Sequence, residues 1–352
     1  MRGDIPRRFT GKGAKAASPE ELAAVLGRMI DRYRGAKAVF VAAELDLFRA
    51  LDSTDGRVES LARALKASAR GIEILLDALV ALEFISKKGG RYRLTPFSRA
   101  WLHPDGERSL ANNLKYQELL SPAYADMAAT IRAGRPRRGL RQLISGRPDF
   151  VDDYIRGMAN IAKRPAQELA AALDLASCAS MLDVGGGPGT FSLACLARQP
   201  RLRATILDLP QTLKVTRQLL GRSPFHPRVE LRGGDYHRVS YGAQSFDLVL
   251  LSHVTHDEGP EQNQAMLRKT FAALRSGGHA VVHDFMTTRD RTGPLFPALF
   301  SLHLLTYTHS GMTYSENDYR RWLADAGFKS VRRIDVCPEA PNATAALVAM
   351  KP

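Results

Sequence analysis

From Pro19 onward, apolar residues recur at helical spacing. Leu22, Val25, Leu26, Met29 and Ile30 form one stripe, and Val39, Phe40, Leu45, Leu47 and Phe48 form another within residues 38–51. The spacing predicts two buried helices. A short helix is expected around Val58-Glu59-Ser60-Leu61-Ala62. A longer one follows over residues 72–84, with Ile72, Leu75, Leu76, Leu79, Val80 and Leu82 on one side. The period then changes to two. Phe84-Ile85-Ser86 and Tyr92-Arg93-Leu94 flank Lys87-Lys88-Gly89-Gly90, the pattern of a hairpin closed by a Gly-Gly turn. Helices followed by a hairpin are the order of a winged helix, which assigns residues 19–105 to a first domain.

Residues 106–175 read as helical, with the longest run over residues 149–175 and a break or restart expected at Pro165. Beyond it, short apolar or β-branched runs at residues 180–184, 204–207, 229–231, 246–251 and 279–284 alternate with helical patterns. Such alternation predicts an α/β domain over residues 176–352, a mainly parallel sheet with helices on both faces. Residues 330–336 and 344–350, joined by a short proline-containing loop, are expected to complete a seven-stranded Rossmann-like sheet with an antiparallel hairpin.

A chain of 352 residues suits two domains. Residues 1–18, rich in Gly, Pro, Lys and Ser without apolar periodicity, read as a flexible basic arm. The net charge of +14 raises a nucleic-acid partner, but the basic residues are dispersed, apart from Arg2, Arg7, Arg8, Lys12 and Lys15 in the arm and Arg135, Arg137 and Arg138. The third predicted helix of the winged segment offers Arg70, Glu73 and Asp77 among apolar residues, a face better suited to packing than to reading bases. Dimerisation is therefore the expected use of that domain. Cys178, Cys195 and Cys337 form no CxxC pair, which argues against zinc and disulfides and points to the cytoplasm; no metal is expected. The uncharged stretch of residues 292–315 carries Pro294, Pro297, His303 and His309, so no membrane span is expected.

The densest chemical signal is the predicted strand ending at Asp183, followed by Gly185-Gly186-Gly187-Pro188-Gly189 and a helix from Thr190. Glycines here let the backbone bend sharply and let a ligand approach the main chain. The spacing Gly185-x-Gly187-x-Gly189 departs from the G-x-G-x-x-G of dinucleotide-binding turns. The next strand ends in Asp208-Leu209-Pro210, which places a carboxylate where ribose hydroxyls would donate. The third is followed by Gly233-Gly234-Asp235-Tyr236, offering an acceptor for an adenine amine and a ring for stacking. Together these predict one adenosyl-shaped ligand lying across the carboxyl ends of the strands.

In these motifs, in His256-Asp257 after the fourth strand, and in Tyr92-Arg93-Leu94-Thr95-Pro96, the chain resembles the class I S-adenosylmethionine-dependent small-molecule O-methyltransferases, the family of caffeic acid and acetylserotonin methyltransferases. The resemblance runs from about Pro19 to Lys351. It implies S-adenosylmethionine as cofactor, contacted by Asp183, Gly185, Gly187, Gly189, Asp208, Leu209, Gly234, Asp235, Tyr236 and Ser252. It implies His256 as general base, Asp284 as the carboxylate that orients it, and Asp257 beside it; histidine suits this role because its ordinary pKa lies near neutrality. Met158 resembles a family methionine near the reactive methyl. Phe300, Leu304 and Tyr307, at helical spacing, and the helices around Tyr116 and Tyr124 are expected to shape an acceptor pocket. The chain departs from the family at three places. Glu258 follows His256-Asp257 where the family has tryptophan, Thr313 stands for a carboxylate, and Ser252 for a lysine. The expectation is a homodimeric enzyme that methylates a hydroxyl of an aromatic or polyketide-like small molecule. Methyl transfer to carbon or nitrogen, and a cofactor-binding regulator touching nucleic acid, are the alternatives.

Overall fold

The computed structural model describes residues 18–139, 142, 148–221 and 223–352, which leaves the expected basic arm, apart from Ser18, outside the described residues. The chain divides into two compact units, Met1–Pro122 and Ala123–Pro352.

In the first unit, Ser18 starts the opening helix through a capping box. Its Oγ accepts from the Glu21 amide at 3.2 Å, and its own amide donates to Glu21 Oε2 at 2.9 Å. The helix then runs unbroken over Pro19–Glu44 and ends at Asp46, which adopts the left-handed conformation (φ 57°) before the short helix Leu47–Ser53. Two buried helices were expected here, and the structure corrects this. The first stripe belongs to the same helix as Val39, and Leu22, Leu26, Met29 and Ile30 are 48, 62, 49 and 51% exposed. Only Val39, Ala42 and Ala43 of this helix are buried, so the stripe points away from the core of its own unit.

That core consists of Leu47, Phe48, Leu61, Ile72, Leu76, Leu79, Ile85 and Tyr92 with their neighbours. The expected hairpin is present as β1 (Ile85–Lys88) and β2 (Arg91–Leu94), antiparallel, with Gly89 and Gly90 at φ 58° and 71° in the turn. Asp77, on the helix Ala69–Ala81, accepts from the Tyr92 hydroxyl at 2.7 Å and from Lys87 Nζ at 2.8 Å. The acidic group on the would-be recognition helix is thus occupied in holding the wing.

The second unit is built on β3 (Ser180–Val184), β4 (Arg203–Asp208), β5 (Val229–Gly233), β6 (Phe246–Ser252) and β7 (Leu274–Asp284), together with β10 (Lys329–Val336) and β11 (Thr344–Met350). The sheet order is β10-β11-β7-β6-β3-β4-β5. The five strands from β3 to β7 are mutually parallel, while β11 runs antiparallel to both β7 and β10. Pleating sends successive residues to opposite faces, and both faces are covered. Leu182, Val249, Leu251 and Val282 pack in one cluster, whereas Met181, Leu248, Leu250 and Val281 pack in the other. The chain winds outward from β3 to β5 and restarts at β6, so the switch point lies between β3 and β6, where open parallel sheets bind ligands.

Two expectations change in this unit. The helix Pro148–Ala172 passes through Pro165 without breaking; on either side of it, Val151 and Ile155, then Ala166, Leu169 and Ala170, are buried, and that packing holds the helix on course. A second sheet absent from the sequence pattern forms where β8 (Met286–Thr287) pairs in parallel with β9 (Tyr314–Ser315). The pair closes the base of an excursion that carries the helix Leu295–Leu304.

Candidate functional site

The turn after β3 is an open cradle. Gly185, Gly187 and Gly189 have φ of 65°, 50° and 77°. A Cβ on Gly189 would lie 2.7 Å from Ile206 Cδ1, so that glycine is needed for helix-to-strand packing. A Cβ on Gly187 would meet nothing closer than 4.0 Å, so that Cα faces open space. Asp208, at the end of β4, is fixed against the cradle. Its Oδ2 accepts from the Gly187 amide at 2.8 Å and its Oδ1 from the Leu209 amide at 2.7 Å. Burial raises its pKa, and these two amides offset part of the rise.

Asp183 lies differently. Its carboxylate is buried under the turn, accepts from Ser192 Oγ at 2.6 Å, and is pushed up to about 7 chiefly by burial. It braces the turn from below. Past β5, Asp235 Oδ1 accepts from the His237 amide at 3.0 Å, and Gly234 admits no Cβ because Val239 would lie 2.6 Å away. The Tyr236 hydroxyl donates to Glu258 Oε1 at 2.7 Å, and its ring edge lies 3.7 Å from where a Gly185 Cβ would be. Glu258, where the resembled family has tryptophan, therefore anchors the tyrosine that borders the cradle. Ser252 Oγ is engaged with His283 Nδ1 at 2.8 Å in the buried interior.

The pairing of β6 with β7 sets Ser252 beside His283, so the short 3-10 turn Thr255–Asp257 that follows β6 lies next to Asp284 at the end of β7. Asp284 is fully buried. It accepts from His256 Nδ1 at 2.6 Å, Thr255 Oγ1 at 2.6 Å, the Phe285 amide at 2.8 Å and the His256 amide at 3.1 Å, with Tyr319 Oη 2.8 Å beyond Thr255 Oγ1. Burial opposes ionisation of this carboxyl, yet His256 and His253 beside it hold its pKa well below the usual carboxylate range. Burial alone would depress the His256 imidazole; the charges of Asp284 and then Asp257 outweigh it and push the ring up to about 9.

With Nδ1 engaged, Nε2 is the ring nitrogen left for chemistry. Asp257 Oδ1 stands 3.7 Å from it and makes no hydrogen bond among the described residues. Burial pushes Asp257 up to about 6. His253, His256 and Asp284 bring three potential metal-donor atoms within 4.8 Å of one another. The 2.6 Å bond between His256 and Asp284 already joins two of those donors.

Aromatic rings line the approach to His256. Phe300 lies edge-on to it at 5.0 Å, and Phe285 packs between Phe300 at 4.9 Å and Phe296 at 4.7 Å. Tyr307 is buried with its ring 5.0 Å from His303, whereas Leu304 is completely buried and offers no surface to a ligand. Met158 is half-buried on the helix Pro148–Ala172, and Tyr116 is buried within the first unit. Two residues escaped the sequence reading. Tyr154 sits near both Asp257 and Asp208, whose charges add to burial in raising its hydroxyl pKa. His303 bonds to Tyr124. Tyr154 falls at i−4 from Met158 on one helix, a spacing that would have flagged it.

The geometry defines an α/β fold with a glycine cradle at the switch point of its sheet and a carboxylate-held histidine after the adjoining strand. Family comparison agrees. Residues 124–329 match the O-methyltransferase domain, and residues 28–104 match the O-methyltransferase dimerisation domain. The chain belongs to the S-adenosylmethionine-dependent O-methyltransferases. It is 28% identical to the 3-hydroxy-5-methyl-1-naphthoate 3-O-methyltransferase of Streptomyces sahachiroi, over 87% of this chain and 89% of that enzyme. It is 27% identical to the L-tyrosine C(3)-methyltransferase of Streptomyces lavendulae, over 84% of each. The crystal structure of human N-acetylserotonin methyltransferase in complex with S-adenosylmethionine matches with a TM-score of 0.83 at 25% identity, covering 96% of this chain and 99% of that one.

Proposed function

We propose that this enzyme methylates a phenolic hydroxyl of a small aromatic or polyketide-like molecule, with His256 Nε2 accepting the hydroxyl proton. The observation that carries the reading is the buried His256–Asp284 pair, set against aromatic rings at the end of the strand that adjoins the cradle's own. S-adenosylmethionine, when bound, supplies a methyl group on a sulfonium, a leaving group that needs no protonation. The residues around it fit that cofactor. Gly187 leaves room against the main chain, and Asp208 at the end of β4 offers carboxylate oxygens to ribose hydroxyls. Asp235 and Tyr236 would border the adenine side, while Asp257 lies beside the base and Tyr154 feels the charges of both Asp257 and Asp208.

Asp284 fixes the His256 tautomer that carries a proton on Nδ1 and stabilises the imidazolium formed when Nε2 takes a second. Thr255, Phe285 and the His256 amide saturate that carboxylate, so it does not turn away to another partner. Phe300 and Phe285 offer apolar faces that would orient the acceptor ring beside the base and exclude water from the transfer path.

Methylation at carbon is the second reading, favoured by the tyrosine C(3)-methyltransferase among the relatives. A deprotonated phenol is nucleophilic at oxygen and at its ortho carbon; attack by carbon gives a dienone that regains its aromaticity as the ring proton moves to oxygen, so one net proton is released to the base in either outcome. Mass spectrometry of products from a panel of phenols, with fragmentation locating the methyl, distinguishes them. A His256→Ala enzyme that binds cofactor yet keeps full turnover would overturn the base assignment.

The exposed stripe Leu22, Leu26, Met29 and Ile30, inside or adjoining the matched dimerisation segment, supports a homodimer. Three buried free thiols, Cys178, Cys195 and Cys337, fit a cytoplasmic setting. No helix among the described residues is long and apolar enough to cross a membrane.

A further inference from the structure

We propose that His303 is a specificity residue of the acceptor pocket, its Nε2 donating a hydrogen bond to a carbonyl oxygen on the acceptor, distal to the hydroxyl that faces His256. The acceptor class is then a fused bicyclic or larger phenol bearing a ketone- or quinone-type oxygen on its far side. The inference rests on the assignment of His256 as the acceptor-facing base.

His303 lies one turn beyond Phe300 on the helix Leu295–Leu304. The Phe300 ring, edge-on to His256 at 5.0 Å, stacks on the His303 ring at 5.3 Å with 27° between planes. The two imidazoles therefore flank the Phe300 ring and lie no further apart than the two centroid steps together, a span that accommodates a fused bicyclic skeleton.

Tyr124 Oη lies 2.6 Å from His303 Nδ1. A phenol hydroxyl is a better donor than acceptor because its lone pair is delocalised into the ring, so Tyr124 donates and Nδ1 accepts. The ring proton then resides on Nε2, which bonds to none of the described residues. Burial, and then the charge of His256, push His303 down to about 4. At neutral pH it is an uncharged donor. A neutral donor in a partly buried, aromatic-lined position suits a carbonyl oxygen better than a carboxylate, whose charge it would leave unbalanced. Tyr124 acts through His303 and is a positioning residue.

The test is binding of a matched pair of phenols to the enzyme saturated with S-adenosylhomocysteine, measured by titration calorimetry. The pair is 6-hydroxy-1-tetralone and 5,6,7,8-tetrahydro-2-naphthol, which share a skeleton; the ketone also acidifies the para hydroxyl, so the preference assigned to His303 is the part that His303→Leu removes. Wild type is expected to bind the ketone about tenfold more tightly, the worth of one partly buried hydrogen bond. His303→Leu should reduce that preference below about twofold, His303→Gln, which keeps a donor near Nε2, should restore part of it, and Tyr124→Phe should weaken it. Unchanged affinity for S-adenosylhomocysteine reports that each variant is folded. A wild type with no preference, including one that binds neither phenol, or a His303→Leu enzyme that keeps the preference, overturns the proposal. Failure of the base assignment shows elsewhere, as turnover surviving His256→Ala, because the binding test involves no proton transfer.

Discussion

On the proposed cofactor side, the groups that would meet the ligand are backbone or sit at strand ends: the Gly187 Cα and the Asp208 carboxylate that the Gly187 amide holds. On the proposed acceptor side they are ring atoms of Phe285, Phe300, His303 and Tyr124, the last delivered by the short helix Ser121–Ala125, far in sequence from the helix Leu295–Leu304. The first side is fixed by the sheet and tolerates little change. The second can be re-lined without disturbing the fold, which lets one scaffold serve many acceptors. His256 sits at the seam, on a turn set by β6 but oriented by a carboxylate from β7.

Changes at the seam should have the largest effects. His256→Ala is expected to lower kcat by about 10²–10⁴, the usual worth of a general base, with cofactor affinity unchanged by calorimetry. A loss under tenfold would move the base elsewhere. Asp284→Asn should cost about 10² in kcat and also shift the pH profile. His256 must be neutral to accept a proton, so activity in wild type rises with pH toward the raised value of about 9. Removing the Asp284 charge removes the main cause of that rise, so the ascending limb should move to lower pH. An unmoved limb would mean that another group titrates.

Cofactor-side changes come next. Asp208→Ala is expected to weaken S-adenosylmethionine binding by about tenfold or more, as for loss of hydrogen bonds to a charged group, while leaving acceptor affinity intact. Within the turn, two alanine variants should separate packing from ligand contact. Both face the left-handed backbone penalty of about 1–2 kcal/mol, but Gly189→Ala also drives a methyl to 2.7 Å from Ile206. Its melting temperature should fall further than that of Gly187→Ala, whose larger loss should be in cofactor affinity. Equal melting temperatures would contradict the division. The smallest effect is expected at the re-linable wall. Phe300→Leu should raise acceptor KM by a few-fold and leave cofactor binding unchanged, and a strong loss of cofactor affinity there would erase the distinction between the two sides.

The parallel sheet, its closing hairpin and the Gly-Gly wing are legible in the pattern of residues, because alternation and turn chemistry are local demands met within a few residues. It also marked the glycine turn and the strand-end carboxylates, since a close backbone approach dictates residue type. His256 and Asp284 were named through resemblance, and the structure brought them to 2.6 Å because their strands pair side by side. Which apolar stripes are covered depends on packing between elements, which no local pattern records. The periodicity of Leu22 to Ile30 is the same whether a core or open surface lies opposite, and here it is surface. Asp183 reads as a ligand contact from its place at a strand end, yet its side chain turns under the loop to Ser192. The Tyr124–His303 contact joins positions 179 residues apart. No spacing rule spans that distance, so the acceptor side of this enzyme is a property of how its helices pack.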